Sequence, residues 1–124
     1  MIMTIDEMIS RIDLIADTQR ALIVGDPVRA FEYQIAEKDA RAYAALNYTG
    51  DVPGSVGSWA MAKEWSPLQA ADDIIGQADL FMYVLNMIRA IRLNAKCSII
   101  AAGTPEEAQA IFDAAIGNLK QISA

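Results

Sequence analysis

The sequence predicts an all-α protein, a helical bundle of about four to five helices with one long central helix. Three observations predict it. Helix-start punctuation recurs at Thr4, Asp26-Pro27, Ser66-Pro67 and Thr104-Pro105; apolar residues follow each start at steps of three and four; and no segment sustains the period-two alternation of a strand.

The first helix begins at Thr4, because Glu7 stands at the capping-box spacing from it. Ile5, Met8, Ile12, Ile15, Gln19 and Leu22 mark one face, while Asp6, Arg11, Asp13, Asp17 and Arg20 occupy the others. Gly25 ends this helix after Val24. Asp26-Pro27 then restarts the chain as N-cap and first helical residue, a position where proline loses no needed amide hydrogen. The second helix runs to about Asn47 on a stripe of Val28, Phe31, Ile35, Ala42 and Leu46, widened by Tyr33, Ala40, Tyr43 and Ala44.

Residues 48–58 concentrate Gly50, Asp51, Pro53, Gly54, Ser55, Gly57 and Ser58, which favour turns, and form the main loop. Trp59, Met61, Ala62 and Trp65 suit a short helix whose tryptophans pin that loop to the body. Ser66-Pro67-Leu68-Gln69 opens the long helix. Along it, Ile74, Ala78, Phe81, Leu85, Ile88, Arg92, Ala95, Ile99 and Ala102 form a seam of alternating four- and three-residue steps, in which Arg92 alone is polar. Its length points either to a kink at Gly76 or Asn94 or to an end that finds another chain. Gly103 stops it, and Thr104-Pro105-Glu106-Glu107 starts a last helix striped by Ala108, Ile111, Phe112, Ala115, Ile116, Leu119 and Ile122.

With 124 residues and a generous apolar share, residues 1–124 are expected as a single domain. Within it, residues 1–47 would form an N-terminal helical hairpin, 48–58 a loop, and 59–124 the long helix with its C-terminal partner. A net charge of -6 repels the nucleic-acid backbone and offers nothing to anionic lipid. The apolar run from Ile74 to Ile100 is interrupted by Gln77, Asp79, Asn86, Arg89, Arg92, Asn94 and Lys96, and reads as a buried helix rather than a membrane span. The opening residues lack the basic and apolar regions of a signal peptide, and Cys97, the lone cysteine, has no internal disulfide partner. Cytoplasm is the expected compartment, with no nucleic acid and no membrane as partners.

No residue pattern carries catalysis. Histidine is absent, which removes the commonest general base and metal ligand. Cys97 has no histidine to activate it and reads as an inert core thiol. Asp72 and Asp73 point about 100° apart on a helix and read as complements to the helix dipole rather than a proton-sharing pair. Asp72 and Asp79 share a face but lack the Glu-x-x-His motif of a di-metal bundle. The glycines of the main loop lack the ending of a phosphate-binding loop. No catalytic residue, cofactor or metal is therefore expected. Arg89, Arg92 and Lys96 form a basic stripe that would neutralise Asp79 or a neighbouring helix's acids, or else meet an acidic partner, the first being favoured because exposed helices commonly carry such pairs.

From Glu37 to about Ile100 the chain resembles small proteins and tail-protein termini of tailed bacteriophages and prophages. The resemblance is carried by Ala42-Tyr43, Asn47-Tyr48-Thr49-Gly50-Asp51-Val52-Pro53, Val56, Ser58-Trp59-Ala60, Ala70-Ala71-Asp72-Asp73-Ile74-Ile75, Ile88-Arg89, Ile91-Arg92-Leu93 and Lys96. Met82-Tyr83 departs from it, standing where a tryptophan often lies. The resemblance implies a non-catalytic role around the phage tail, as an assembly chaperone for a tail-fibre protein or as a tail component. The implied locations are the host cytoplasm during assembly and the virion tail. Contact candidates are Tyr48, Val52, Pro53, Trp59, Trp65, Arg89 and Arg92, with another tail protein or a second copy through the long helix as partner. The acidic charge alone suggests an alternative, a small inhibitor or regulator of a host protein.

Overall fold

The computed structural model describes residues 3–122, and the described residues fold into five α-helices with no strand. They are α1 (Ile5–Val24), α2 (Pro27–Ala45), α3 (Gly54–Lys63), α4 (Pro67–Ala101) and α5 (Pro105–Gln121). The starts form as the punctuation predicts. Thr4 Oγ1 accepts from Glu7 N at 3.1 Å, and Asp26 Oδ1 accepts from Val28 N at 2.8 Å and Arg29 N at 3.2 Å. Ser66 and Gln69 close a reciprocal box, Gln69 N donating to Ser66 Oγ at 3.2 Å and Ser66 N to Gln69 Oε1 at 3.0 Å. At α5, Glu107 N donates to Thr104 Oγ1, while the Glu107 carboxylate reaches back to Gly103 N at 2.9 Å. Gly25 leaves α1 at φ +66°, the left-handed region open to a residue without a Cβ.

The helices gather into two compact units. One holds α1, the part of α4 from Tyr83 onward, and α5. Its core is Met8, Ile12 and Ala16 of α1 with Ile88, Ala95 and Ile99 of α4 and Ala108, Phe112, Ala115 and Leu119 of α5. Within this core, the polar seam residue Arg92 is half-buried and its Nη1 lies 3.2 Å from Asp13 Oδ1, with Lys96 Nζ at 2.9 Å from Asp13 Oδ2. The hydrogen bond from Lys96, reinforced by Arg92 and opposed by desolvation, holds the Asp13 carboxyl below its ordinary value. Two members of the basic stripe, Arg92 and Lys96, thus neutralise an acid of a neighbouring helix, whereas Arg89 makes no ion pair among the described residues and Asp79 is taken by Arg41 at 2.6 Å.

The second unit comprises α2, α3 and α4 as far as Met82, around Ala40, Tyr43, Val56, Ala60, Ala70 and Ala71. Within the units, α1 pairs with α5 and α2 with α3. The reason lies in the faces. α2 turns its small residues Ala36, Ala40 and Ala44, with Tyr43, toward its unit, which allows close approach of α3 and α4. Its larger stripe is exposed: Val28 by 77%, Phe31 by 64%, Ile35 by 46% and Leu46 by 63%. The loop is also shorter than 48–58. Despite two glycines and no side-chain cap, α3 starts at Gly54, because Val56 and Ala60 are buried and Ser55 Oγ donates to Asp39 Oδ2 at 2.9 Å.

α4 runs unbroken through Gly76 and Asn94 for 35 residues. Every position of its predicted seam is buried or half-buried. Among the described residues it is the helix long and apolar enough, by length and composition, to cross a membrane; only 6% of that apolar window is buried, which corrects the expected buried helix, and Leu80, Met82, Tyr83 and Ile100 are exposed. Cys97 departs from the core-thiol expectation. It lies on the face of α4 opposite Ala95 and Ile99 and is exposed.

Candidate functional site

The second unit brings together residues that lie far apart in the sequence. α2 ends with Leu46 N donating to Ala42 O, after which Asn47 (φ +56°) and Tyr48 (φ +58°) both take the left-handed conformation. The third non-glycine residue of this kind among those described is Glu64 (φ +59°), which caps α3. Non-glycine residues hold this conformation at a cost of about 1–3 kcal/mol each and persist where surrounding contacts over-determine them. All three border the same surface.

The over-determining contacts are visible. Tyr48 N donates to Tyr43 O at 3.0 Å, and the two rings meet edge to face at 5.8 Å. The Tyr48 hydroxyl donates to Asp72 Oδ1 on α4. That hydrogen bond to a carboxylate, helped by desolvation, raises the phenol above its ordinary pKa. On the other side of Glu64, Trp65 N donates to Ala60 O at 2.9 Å, setting the Trp65 ring edge-on to Trp59 at 6.2 Å. Trp59 Nε1 donates to Asp73 Oδ2 at 2.9 Å, and Gln77 Nε2 adds a second donor to that oxygen at 2.5 Å. The Lys63 ammonium lies 5.1 Å from the Trp59 ring centre and 5.5 Å from that of Trp65.

Asp72 and Asp73 consequently have a role that helix-dipole complementarity did not foresee. They stand beyond the first turn of α4, which carries no acid, and each anchors a different aromatic residue. Their 100° divergence is what lets one hold Tyr48 and the other Trp59. A shallow, open recess of about 380 Å³ lies beside them, lined by Trp65, Leu68, Gln69, Asp72 and Asp73.

Of the sequence-predicted contact residues, Tyr48, Pro53, Trp59 and Trp65 are half-buried here and Val52 is exposed, its Cγ1 3.7 Å from where a Cβ on Gly57 would stand. Arg89 and Arg92 belong to the other unit. Arg89 is exposed, but Arg92 is a correction: it faces Asp13 within its unit and is no open contact group. Leu68, Gln69, Asp72 and Asp73 were missing from the predicted contact set. No local signal places them together, since adjacent Asp72 and Asp73 diverge by about 100° on α4 and reach different aromatic residues. Among the described residues no three His, Cys, Asp or Glu converge as metal ligands. No known protein family, curated protein sequence or solved structure matches the chain.

Proposed function

We propose that this is a non-catalytic binding protein of the phage tail, an assembly chaperone for a tail-fibre protein or a tail component, whose contact surface is the Tyr48–Trp65 face of the second unit. One observation carries the reading. Four of the residues that carry the resemblance to phage tail proteins are joined in two hydrogen-bonded pairs, Tyr48 with Asp72 and Trp59 with Asp73, across 24 and 14 positions of sequence. A motif maintained for local helix formation alone would not need these cross-connections. The left-handed Asn47, Tyr48 and Glu64 add a second support, since strain of this kind gathers where a surface is preorganised for contact. Half-buried aromatics at the centre of a surface also have the amphipathic character of interface anchors.

The test is co-expression with a tail-fibre protein of the same phage or prophage. The chain is expected to raise the soluble yield of the fibre and to co-elute with it. A Tyr48→Ala, Trp59→Ala double variant that stays helical is expected to lose both effects. Unchanged fibre solubility and separate elution with the wild-type chain would remove the reading.

A further inference from the structure

The recess beside the tryptophans has a chemistry more specific than a general protein contact. We propose that it receives a cationic side chain of a partner protein, best fitted by an arginine guanidinium; this rests on the reading that the surrounding face binds a protein. Three features converge on that ligand. The wall is the Trp65 ring, which with Trp59 makes an edge-to-face pair whose faces attract positive charge. The floor offers two carboxylates with spare acceptor capacity. Tyr48 occupies Oδ1 of Asp72, and Trp59 and Gln77 share Oδ2 of Asp73, so the second oxygen of each carboxylate has no hydrogen-bond donor among the described residues.

The third feature is a cation that the chain itself holds against the two rings. Lys63 makes no ion pair among the described residues, yet its ammonium lies against both indole rings rather than beside an acid. The rings thus already accept a cation, and the nearby Lys63 charge opposes an incoming one. A guanidinium suits the recess better than an ammonium does. It is planar, so it stacks on Trp65 while its edge donates to the carboxylates, and it gives up its hydration more readily. Asp72 and Asp73 are already held by Tyr48, Trp59 and Gln77, so little ordering of the acceptors accompanies binding.

Both tryptophans of the chain sit at this site, so tryptophan emission excited at the red edge, where the four tyrosines do not absorb, reports it. The full-length chain is titrated at low salt with an acetylated, amidated tetra-arginine peptide and with the tetra-glutamate counterpart. The arginine peptide is expected to shift the emission saturably and the glutamate peptide to leave it unmoved. Lys63→Ala, which removes the opposing charge, is expected to tighten binding about two- to fivefold. Asp72→Asn keeps an acceptor for Tyr48 and is expected to weaken binding by a similar factor, whereas Asp6→Asn, which removes the same charge from α1, leaves it unchanged. Far-UV circular dichroism identifies variants that retain their helices. The proposal is overturned if the arginine peptide leaves the emission unmoved, if Lys63→Ala gains nothing, or if Asp6→Asn weakens binding as much as Asp72→Asn. Such a result combined with intact co-elution of a fibre protein removes the cation site and leaves the tail-binding reading standing.

Discussion

Removing the carboxylate of Asp13 should destabilise the unit that contains α1 and α5, by an amount set by how deeply its cations are placed. Losing one partner of a fully buried ion pair costs about 3–5 kcal/mol, and losing one of an exposed pair costs about 0–1 kcal/mol. The side chains here lie between those limits, with Asp13 36% exposed, Arg92 17% and Lys96 25%. Asp13→Ala is therefore expected to cost about 1–2 kcal/mol at pH 7 after discounting for solvent screening. The pH dependence follows from the lowered carboxyl. A group whose folded pKa lies below its unfolded value stabilises the fold above the unfolded value, near 3.8, and that contribution is lost as pH falls through the lower folded value. The gap between wild type and Asp13→Ala should accordingly be full at pH 7 and shrink below about pH 3.8. Urea unfolding followed by far-UV circular dichroism measures it. A difference under about 0.3 kcal/mol at pH 7, or a gap that widens in acid, would refute the reasoning. Arg92→Met supplies the complementary check. The Arg92 Nε is buried without a hydrogen-bond partner, so replacing the side chain removes an orphan donor and restores an apolar seam while Lys96 still holds Asp13. Its expected effect is within about 1 kcal/mol of zero, and a loss much larger than that of Asp13→Ala would contradict the assignment.

Further outcomes follow from burial. Ile12→Ala removes a fully buried side chain from the core shared by α1, α4 and α5 and should cost about 2–4 kcal/mol by the same assay. Phe31→Ser, on the outward stripe of α2, should change stability by no more than about 1 kcal/mol despite removing a larger apolar group; a core-sized loss would mean that α2 packs through its other face. Cys97 should react with a thiol reagent in the native protein at the rate of an exposed cysteine, and a requirement for denaturant would place it back in a core.

The helix boundaries were largely legible in the sequence because caps and prolines act locally. Asp26-Pro27, Ser66-Pro67-Leu68-Gln69 and Thr104-Pro105 each satisfy the first-turn amides with neighbours a few residues away, and nothing distant is needed. Which face packs, and against which helix, was less legible. On α2 the stripe of Val28, Phe31, Ile35 and Leu46 is the more hydrophobic by composition, yet the alanines opposite it pack because small side chains permit a closer helix approach. A stripe also states that a face is buried without naming its cover, so the pairing of α1 with α5 lay beyond periodicity. The start of α3 looks like loop in the sequence because Gly54, Ser55 and Gly57 are poor helix formers, and burial of Val56 and Ala60 outweighs that preference. At the candidate site the aromatic members were legible as an unusual cluster of large residues. The links from Asp72 to Tyr48 and from Asp73 to Trp59 depend on three elements meeting, and no local rule specifies them.

The proposed contact of the Tyr48–Trp65 face with a tail protein is open to a direct test. The most direct measurement places a photo-crosslinking amino acid at Val52, which is 40% exposed beside that face, and in a second protein at the exposed Ser10 on α1. Each is co-expressed with the tail-fibre protein and irradiated. Crosslinking to the fibre from position 52, with none from position 10, is the predicted result. Crosslinking from position 10 alone, or from neither, would contradict the account.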